Sequence, residues 1–421
     1  MERKINDFLK KWKRDVSRKP LLIYGTKQVG KTYSVIEFGK ENYKNIVYFN
    51  SENYTELIKV FKTEKTSDKI IFKLSLLSGE KIMKNDTLLV IDNVNSLDIV
   101  KGIKLFAREN PNYHIIMIAS LKANLTRFKG EELQFRQMYP MDFEEYLIAT
   151  DNKQLVEFIK ESYSNDKPMP FHTLAMDLYH EYLMVGGFPE AVKASLEDQD
   201  EIIIRSIQGK IRDTYFKDFC RMKNLIDIPR NIEVMYSSSY QLLKDNKKFQ
   251  YGLIGKGRRS KEYESAIAYL SVNNLFYKVH RISNAKLPLS SCRDKDSFKL
   301  YFSDNGLLFN ALNTSKIRFL TTQKLKDLMY ENDMAIELSK TMTPYYYQSE
   351  GKAEISFVVQ NRNGSIVPIE LINKNLTKSK SLGLFMKKYG TLEAIRFTED
   401  NFSKKKNIKY VPIYATFCLN V

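Results

Sequence analysis

With 421 residues the chain is longer than one compact core organises, so two or three domains are expected. An apolar share of 43% with no continuous membrane-length run excludes a helical membrane protein. Cys220, Cys292 and Cys418 are scattered without CxxC spacing, which excludes a disulfide framework and a cysteine zinc site.

The N-terminus, Met1 to Leu9, is charged and lacks a signal-peptide block, so the chain reads as cytoplasmic. A net charge of +17 points toward an anionic partner, nucleic acid first. A general enrichment in Lys, Asn, Ile, Tyr and Phe produces the same excess, so the position of the charges matters more than their sum.

In chain order, Leu9 to Trp12 lie on a short amphipathic helix. From Leu21, brief apolar runs alternate with helical stretches: Leu21–Tyr24, Ile46–Phe49, Leu88–Ile91, Ile115–Ala119 and, more weakly, Leu133–Tyr139. Runs that are apolar at every position are buried on both faces, which predicts a parallel α/β sheet. From Met141 the periodicity turns helical, through Phe143–Leu147, Leu155–Ile159 and His172–Val185. A Gly186-Gly187-Phe188-Pro189 turn follows, then helix from Ile202 to Leu243. Helix 260–274 precedes two strands, Phe276–Ile282 and Phe298–Phe302. The remainder is again α/β, with helices Leu328–Lys340 and Ser381–Lys388 around strands Ile355–Val359 and Ile366–Glu370. The expected domains are 1–150, 151–318 and 319–421.

Gly25-Thr26-Lys27-Gln28-Val29-Gly30-Lys31-Thr32 fits GxxxxGK[ST] between a strand and a helix, the context in which the motif has a mechanism. Glycines let backbone N–H groups curl around phosphates, and the helix N-terminus adds its dipole. Lys31 would meet the β and γ phosphates, and Thr32 would hold magnesium with Asp92, which ends the Leu88–Ile91 run. The expected ligands are ATP and Mg2+. Where a catalytic glutamate often follows the aspartate, this chain has Asn93, which cannot accept a proton. General-base help is worth about a hundred- to ten-thousandfold, so hydrolysis is expected to be slow or partner-dependent. Ser120, after the fourth strand, stands where a residue could sense the γ-phosphate, and Arg127 and Arg136 are candidate arginine fingers.

Together these blocks resemble the prokaryotic AAA-type ATPases that carry a C-terminal domain like a restriction endonuclease. The resemblance rests on Arg18-Lys19-Pro20-Leu21, the phosphate loop, Tyr139-Pro140-Met141-Asp142-Phe143, Gly186-Gly187-Phe188-Pro189-Glu190, Lys299 to Leu308, and Tyr330-Glu331-Asn332. It implies an AAA-type nucleotide domain, a winged-helix middle domain and a nuclease-like last domain. The match departs at Lys27, at Asn93 and in the nuclease motif. There Glu331 and Glu370 match, Ser356 stands for an aspartate and Ile372 for a lysine, with Lys374 or Glu354 as a conceivable rescue. Cleavage is therefore not expected.

Lys244 to Phe302 reads as helix, turn, helix and two-stranded wing, the layout of a winged helix. Lys256, Arg258, Arg259 and Lys261 gather where its second helix begins, with Lys247 and Lys248 before it and Lys278, His280 and Arg281 on the wing. Two functions remain open. One is an ATPase that binds nucleic acid, DNA in particular. The other is a nucleotide-switched module that holds a protein partner or a second copy.

Overall fold

A computed structural model describes residues 1–120, 128, 130–197, 200–220, 227–349, 353–372 and 380–419. The chain divides into two compact units, Met1–Tyr139 with Val272–Asn274, and Pro140–Ser271 with Leu275–Val421.

The first unit is built on a parallel sheet of β1 (Leu21–Tyr24), β2 (Asn45–Asn50), β3 (Thr87–Asp92), β4 (His114–Ala119) and β5 (Gln134–Gln137), in the order β2-β3-β4-β1-β5. β3 and β4 are buried along their whole length, as their unbroken apolar sequences require. Helices Thr55–Thr63, Ser67–Ser78 and Leu97–Glu109 cover the sheet through Leu57, Ile70, Ile99 and Phe106. The N-terminal helix, Lys4–Arg14, buries Ile5, Leu9 and Trp12, one stripe at helical spacing.

In the second unit, helix Phe143–Ala149 packs Phe143 against Tyr179, ring centroids 5.1 Å apart, and Tyr146 against Tyr182 at 5.5 Å. This aromatic packing groups the segment with the helices that follow it, so the first unit closes at Tyr139, short of residue 150. Between Leu242 and Ser260 the only helical turn is a 3-10 turn, Tyr251–Leu253, where a first winged-helix helix was expected. Gly252, Gly255 and Gly257 lie within six residues there, and each disfavours helix.

An eight-stranded mixed sheet completes the unit. Its strands are β6 (Phe276–Ile282), β7 (Arg293–Phe302), β8 (Tyr345–Gln348), β9 (Glu354–Gln360), β10 (Ile366–Leu371), β11 (Ala394–Thr398), β12 (Ser403–Lys405) and β13 (Ile408–Pro412). They run in the order β12-β13-β11-β10-β9-β8-β6-β7. The hairpin β6–β7 is thus one edge of this sheet, joined to β8 by parallel pairing of His280 with Tyr345. The sheet crosses the boundary near 318 expected from sequence.

Helix Gln323–Thr341 is buried continuously from Leu328 to Ile336 although it is rich in polar residues. Its central side chains are satisfied one by one. Asn332 accepts from the Phe302 N–H at 2.9 Å, and Asp333 accepts from Tyr179, Thr416 and Asn305 at 2.8, 3.0 and 2.7 Å. A buried polar helix is tolerated only when its groups are paired in this way.

Candidate functional site

The phosphate loop leaves β1 at its carboxyl end and returns as helix Lys31–Asn42. Gly25 must lack a side chain, because a Cβ there would come within 2.1 Å of the Met138 carbonyl oxygen. Gln28 and Gly30 take left-handed backbone with φ of 64° and 88°, which turns successive N–H groups toward one concavity. Arg3 braces the loop from outside, donating to the carbonyls of Val29 and Tyr139, each at 2.9 Å. Nothing in the sequence pattern marks Arg3, since its role depends on where the N-terminal helix docks.

Lys31 is buried and donates to the carbonyls of Gly25 at 2.9 Å and Thr26 at 2.7 Å. Burial lowers its pKa to about 8, opposed by the attraction of Asp92 and assisted by the repulsion of Lys27. Thr32 donates its hydroxyl to Asp92 Oδ2 at 2.6 Å, joining the two sequence motifs. A hydroxyl and a carboxylate this close form a pair of hard oxygen ligands that suits Mg2+. The Thr26 hydroxyl is buried with no hydrogen-bond partner, a polar atom that a phosphate oxygen would satisfy. These residues fit a nucleotide triphosphate with its magnesium.

Tyr48, unmarked by any motif, also donates to Asp92 Oδ2, at 3.0 Å. Burial first, and then Asp92, push its pKa up to about 12, so it stays a donor and cannot act as a base. Asn93 adopts left-handed backbone with φ of 55° and donates its amide to Asn50 Oδ1 at 3.2 Å on the neighbouring strand. Ser51 fixes the same turn by donating to the Asn93 carbonyl at 2.7 Å. Asparagine is among the few residues that accept this conformation readily, so the backbone itself accounts for the residue type.

Ser120 directly follows β4, which lies between β1 and β3, so it stands between the phosphate loop and Asp92 along the carboxyl edge of the sheet. Arg136 lies on edge strand β5 with its guanidinium 4.8 Å from the Phe8 ring centroid. Arg127 lies outside the described residues.

The basic residues of the middle region separate into two groups. Lys247 pairs with buried Glu331, Lys278 covers the Phe298 ring at 4.1 Å, and Arg281 binds Asp294 at 2.7 Å. These three are committed to the interior or the hairpin. Lys256, Arg258, Arg259 and Lys261 are exposed at the start of helix Ser260–Val272, with Arg258 near Glu233 at 3.3 Å.

The carboxylates at the expected nuclease-motif positions are each held by cations. Lys299 is fully buried and binds Glu331 at 3.2 Å and Glu354 at 2.9 Å, while Tyr301 donates to Glu331 at 2.5 Å. Lys247 and Lys299 hold the Glu331 carboxyl far below the usual range despite its burial. Glu370 receives two bonds from Arg396, its register partner on β11, at 3.0 and 2.7 Å. Ser356 accepts the Leu371 N–H at 3.2 Å, and Ile372 carries no charge where a lysine was expected. Lys374 lies outside the described residues. Among the described residues no group of three or more His, Cys, Asp or Glu is arranged to hold a metal.

A cavity of about 1050 Å3 lies elsewhere in the second unit, beside Tyr345, Arg362, Lys404 and Lys409. Asp166 is bound there by Lys409 at 3.0 Å. Among the described residues no helix is long and apolar enough to cross a membrane.

Comparison with known proteins agrees with the phosphate-loop geometry. Residues 17–147 match the model of an AAA domain, and residues 176–318 match a domain family of unknown function. No curated protein sequence matches the chain. Among solved structures, a Walker-type ATPase of Pyrococcus abyssi is 15% identical with a TM-score of 0.44, over 74% of this chain and 96% of that one. The Aeropyrum pernix ORC1 protein in complex with DNA is 11% identical with a TM-score of 0.30, over 73% and 90%. A STAND signal-transduction ATPase with a tetratricopeptide repeat sensor from Pyrococcus horikoshii is 12% identical with a TM-score of 0.30. That match covers 81% of this chain, which spans 45% of that protein. Taken with the strand order, the loop and the Thr32–Asp92 pair, residues 17–147 are an AAA-type P-loop domain, of the ATP-binding class.

Proposed function

We propose that this protein binds ATP with Mg2+, hydrolyses it slowly or on stimulation by a partner, and binds nucleic acid through the segment 256–261. The observation that carries the nucleotide reading is the Thr32–Asp92 contact of 2.6 Å beside Lys31. Lys31 and the loop N–H groups would bind the phosphates, Thr32 and Asp92 would hold the metal, and Ser120 would sense the γ-phosphate. Magnesium, when bound, supplies charge neutralisation of the phosphate oxygens. The slow-hydrolysis reading is supported by Asn93, whose amide has no basic atom and is tied to Asn50.

Nucleic-acid binding is supported by four exposed cations at one helix start, where phosphate contacts would give affinity that falls with salt. The alternative, a nucleotide-switched module for a protein partner or a second copy, would leave those cations solvated. The deciding experiment is ATP turnover measured with and without DNA, alongside the thermal shift by ATP–Mg2+. Stimulation by DNA supports the first reading. A clear thermal shift with neither DNA binding nor stimulation supports the alternative. No shift in the wild type would reject the nucleotide site itself.

A further inference from the structure

Helix Asp227–Leu242 buries one face through Asn231, Val234, Met235, Ser238 and Leu242. On the opposite face Tyr236 and Tyr240 stand one turn apart and are 43% and 58% exposed. The Tyr236 ring leans on Phe216, centroids 5.9 Å apart, and both rings keep part of their aromatic area in water on one stripe. The stripe is bordered by Arg212, which Asp213 pairs at 3.2 Å, and by Lys244. The Arg212 guanidinium lies 5.9 Å from the Tyr236 ring centroid and 5.8 Å from that of Phe216, and a bond of 3.1 Å to Asn310 holds it there. Lys244 is exposed just beyond the helix. Glu233, one turn before Tyr236, is engaged by Arg258 at 3.3 Å and by the Tyr263 hydroxyl, so its charge is compensated. Through Glu233 the tyrosine stripe is continuous with the cationic segment 256–261.

We propose that this surface is a stacking platform for single-stranded nucleic acid, with unpaired bases lying on Tyr236 and Tyr240 and phosphates meeting Lys256, Arg259 and Lys261. The inference rests on the nucleic-acid reading above and names the form of the partner. In a duplex each base face is covered by its neighbours, so a ring standing out from a helix offers nothing to base-paired strands. An unpaired base has a free π-face, and aromatic rings beside a cationic track recognise it with little regard to sequence. The cation over Tyr236 strengthens the same contact and limits the freedom of the ring.

Fluorescence anisotropy of the full chain with a labelled oligothymidylate, and separately with a labelled duplex, tests this. Tyr236→Ala and Tyr240→Ala should each weaken oligothymidylate binding about tenfold, the loss that base stacking carries, and leave duplex binding unchanged. Tyr236→Phe and Tyr240→Phe should bind like the wild type, because the ring and not the hydroxyl makes the contact. Thermal melting confirms that these surface variants are folded. If both alanine variants bind oligothymidylate as tightly as the wild type while Arg258→Ala with Arg259→Ala binds it weakly, the platform is wrong and the nucleic-acid reading stands. If the wild type binds neither probe, both fall together.

Discussion

Lys31 is a buried ammonium that donates to two carbonyl oxygens of its own loop. Its folded pKa of about 8 lies below the 10.5 of the free side chain. Between those values the unfolded chain binds more protons than the folded one. Stability contributed by this group therefore rises as pH climbs from about 8 to 10.5 and is lowest at neutral pH. Phosphates would restore the preference for charge, so nucleotide binding and protonation are linked. ATP–Mg2+ affinity is expected to fall about tenfold from pH 7 to pH 9 as the free protein loses this proton, measurable by titration calorimetry. Lys31→Met should melt no lower than the wild type without nucleotide and should lose most of the thermal shift with it. An unchanged shift would remove the loop from the site. Asn93→Glu is the complementary test: it places a base beside Asp92 but puts a side chain ill-suited to φ of 55° in that turn. Turnover should rise at least tenfold while stability falls by about 1 kcal/mol.

Elements of the second unit are locked together by small residues that sequence alone leaves looking like ordinary turns. Gly187 lies against Met141, where a Cβ would come within 2.0 Å of a carbonyl oxygen. Its N–H donates to Asp304 Oδ2 at 2.7 Å, and the other oxygen of Asp304 caps helix Asn305–Ala311 through the Leu307 N–H at 2.9 Å. One carboxylate thus joins the Gly186-Gly187 turn to the start of a helix more than a hundred residues later. Gly187→Ala is expected to cost about 3 kcal/mol or more, because backbone and not a flexible side chain must move. Urea unfolding would read this as a lower midpoint at unchanged slope. Burial raises the Asp304 carboxyl to about 6, so the folded chain binds the extra proton between about 4 and 6. This group's contribution therefore grows as pH falls through that window. Asp304→Ala should flatten that part of the pH profile and lower stability at every pH.

Across the whole molecule, the distribution of cations decides what the charge of +17 can do. Lys247, Lys299 and Arg396 occupy the carboxylates at Glu331, Glu354 and Glu370, where a nuclease would need them for metal. Incubation with single- or double-stranded DNA and Mg2+ or Mn2+ should give no cleavage, and cleavage abolished by Glu370→Ala would overturn this. Lys299→Met should be strongly destabilising, by about 3–5 kcal/mol, because it takes one of two paired cations from the buried Glu331 carboxylate. The exposed cations at 256–261 act differently. Replacing Arg258 and Arg259 with alanine should weaken nucleic-acid binding across sequences and flatten its salt dependence.

What the sequence by itself determined is the AAA-type domain: the strand runs, the loop from Gly25 to Thr32, and the strand ending in Asp92. These are local signals, since buried parallel strands are apolar at every position and a phosphate loop needs its glycines and lysine in fixed succession. Tertiary structure decided the rest, because the partners are far apart in sequence. Lys299 reaches Glu331 and Glu354, Arg396 reaches Glu370, and Tyr48 reaches Asp92 only once the strands pair. Helix Gln323–Thr341 shows no apolar stripe to predict its burial, because its polar groups find their partners on other elements. The strands β8 and β11 to β13 are short, and β6 joins β8 across 62 residues of intervening chain, a pairing that no local periodicity records.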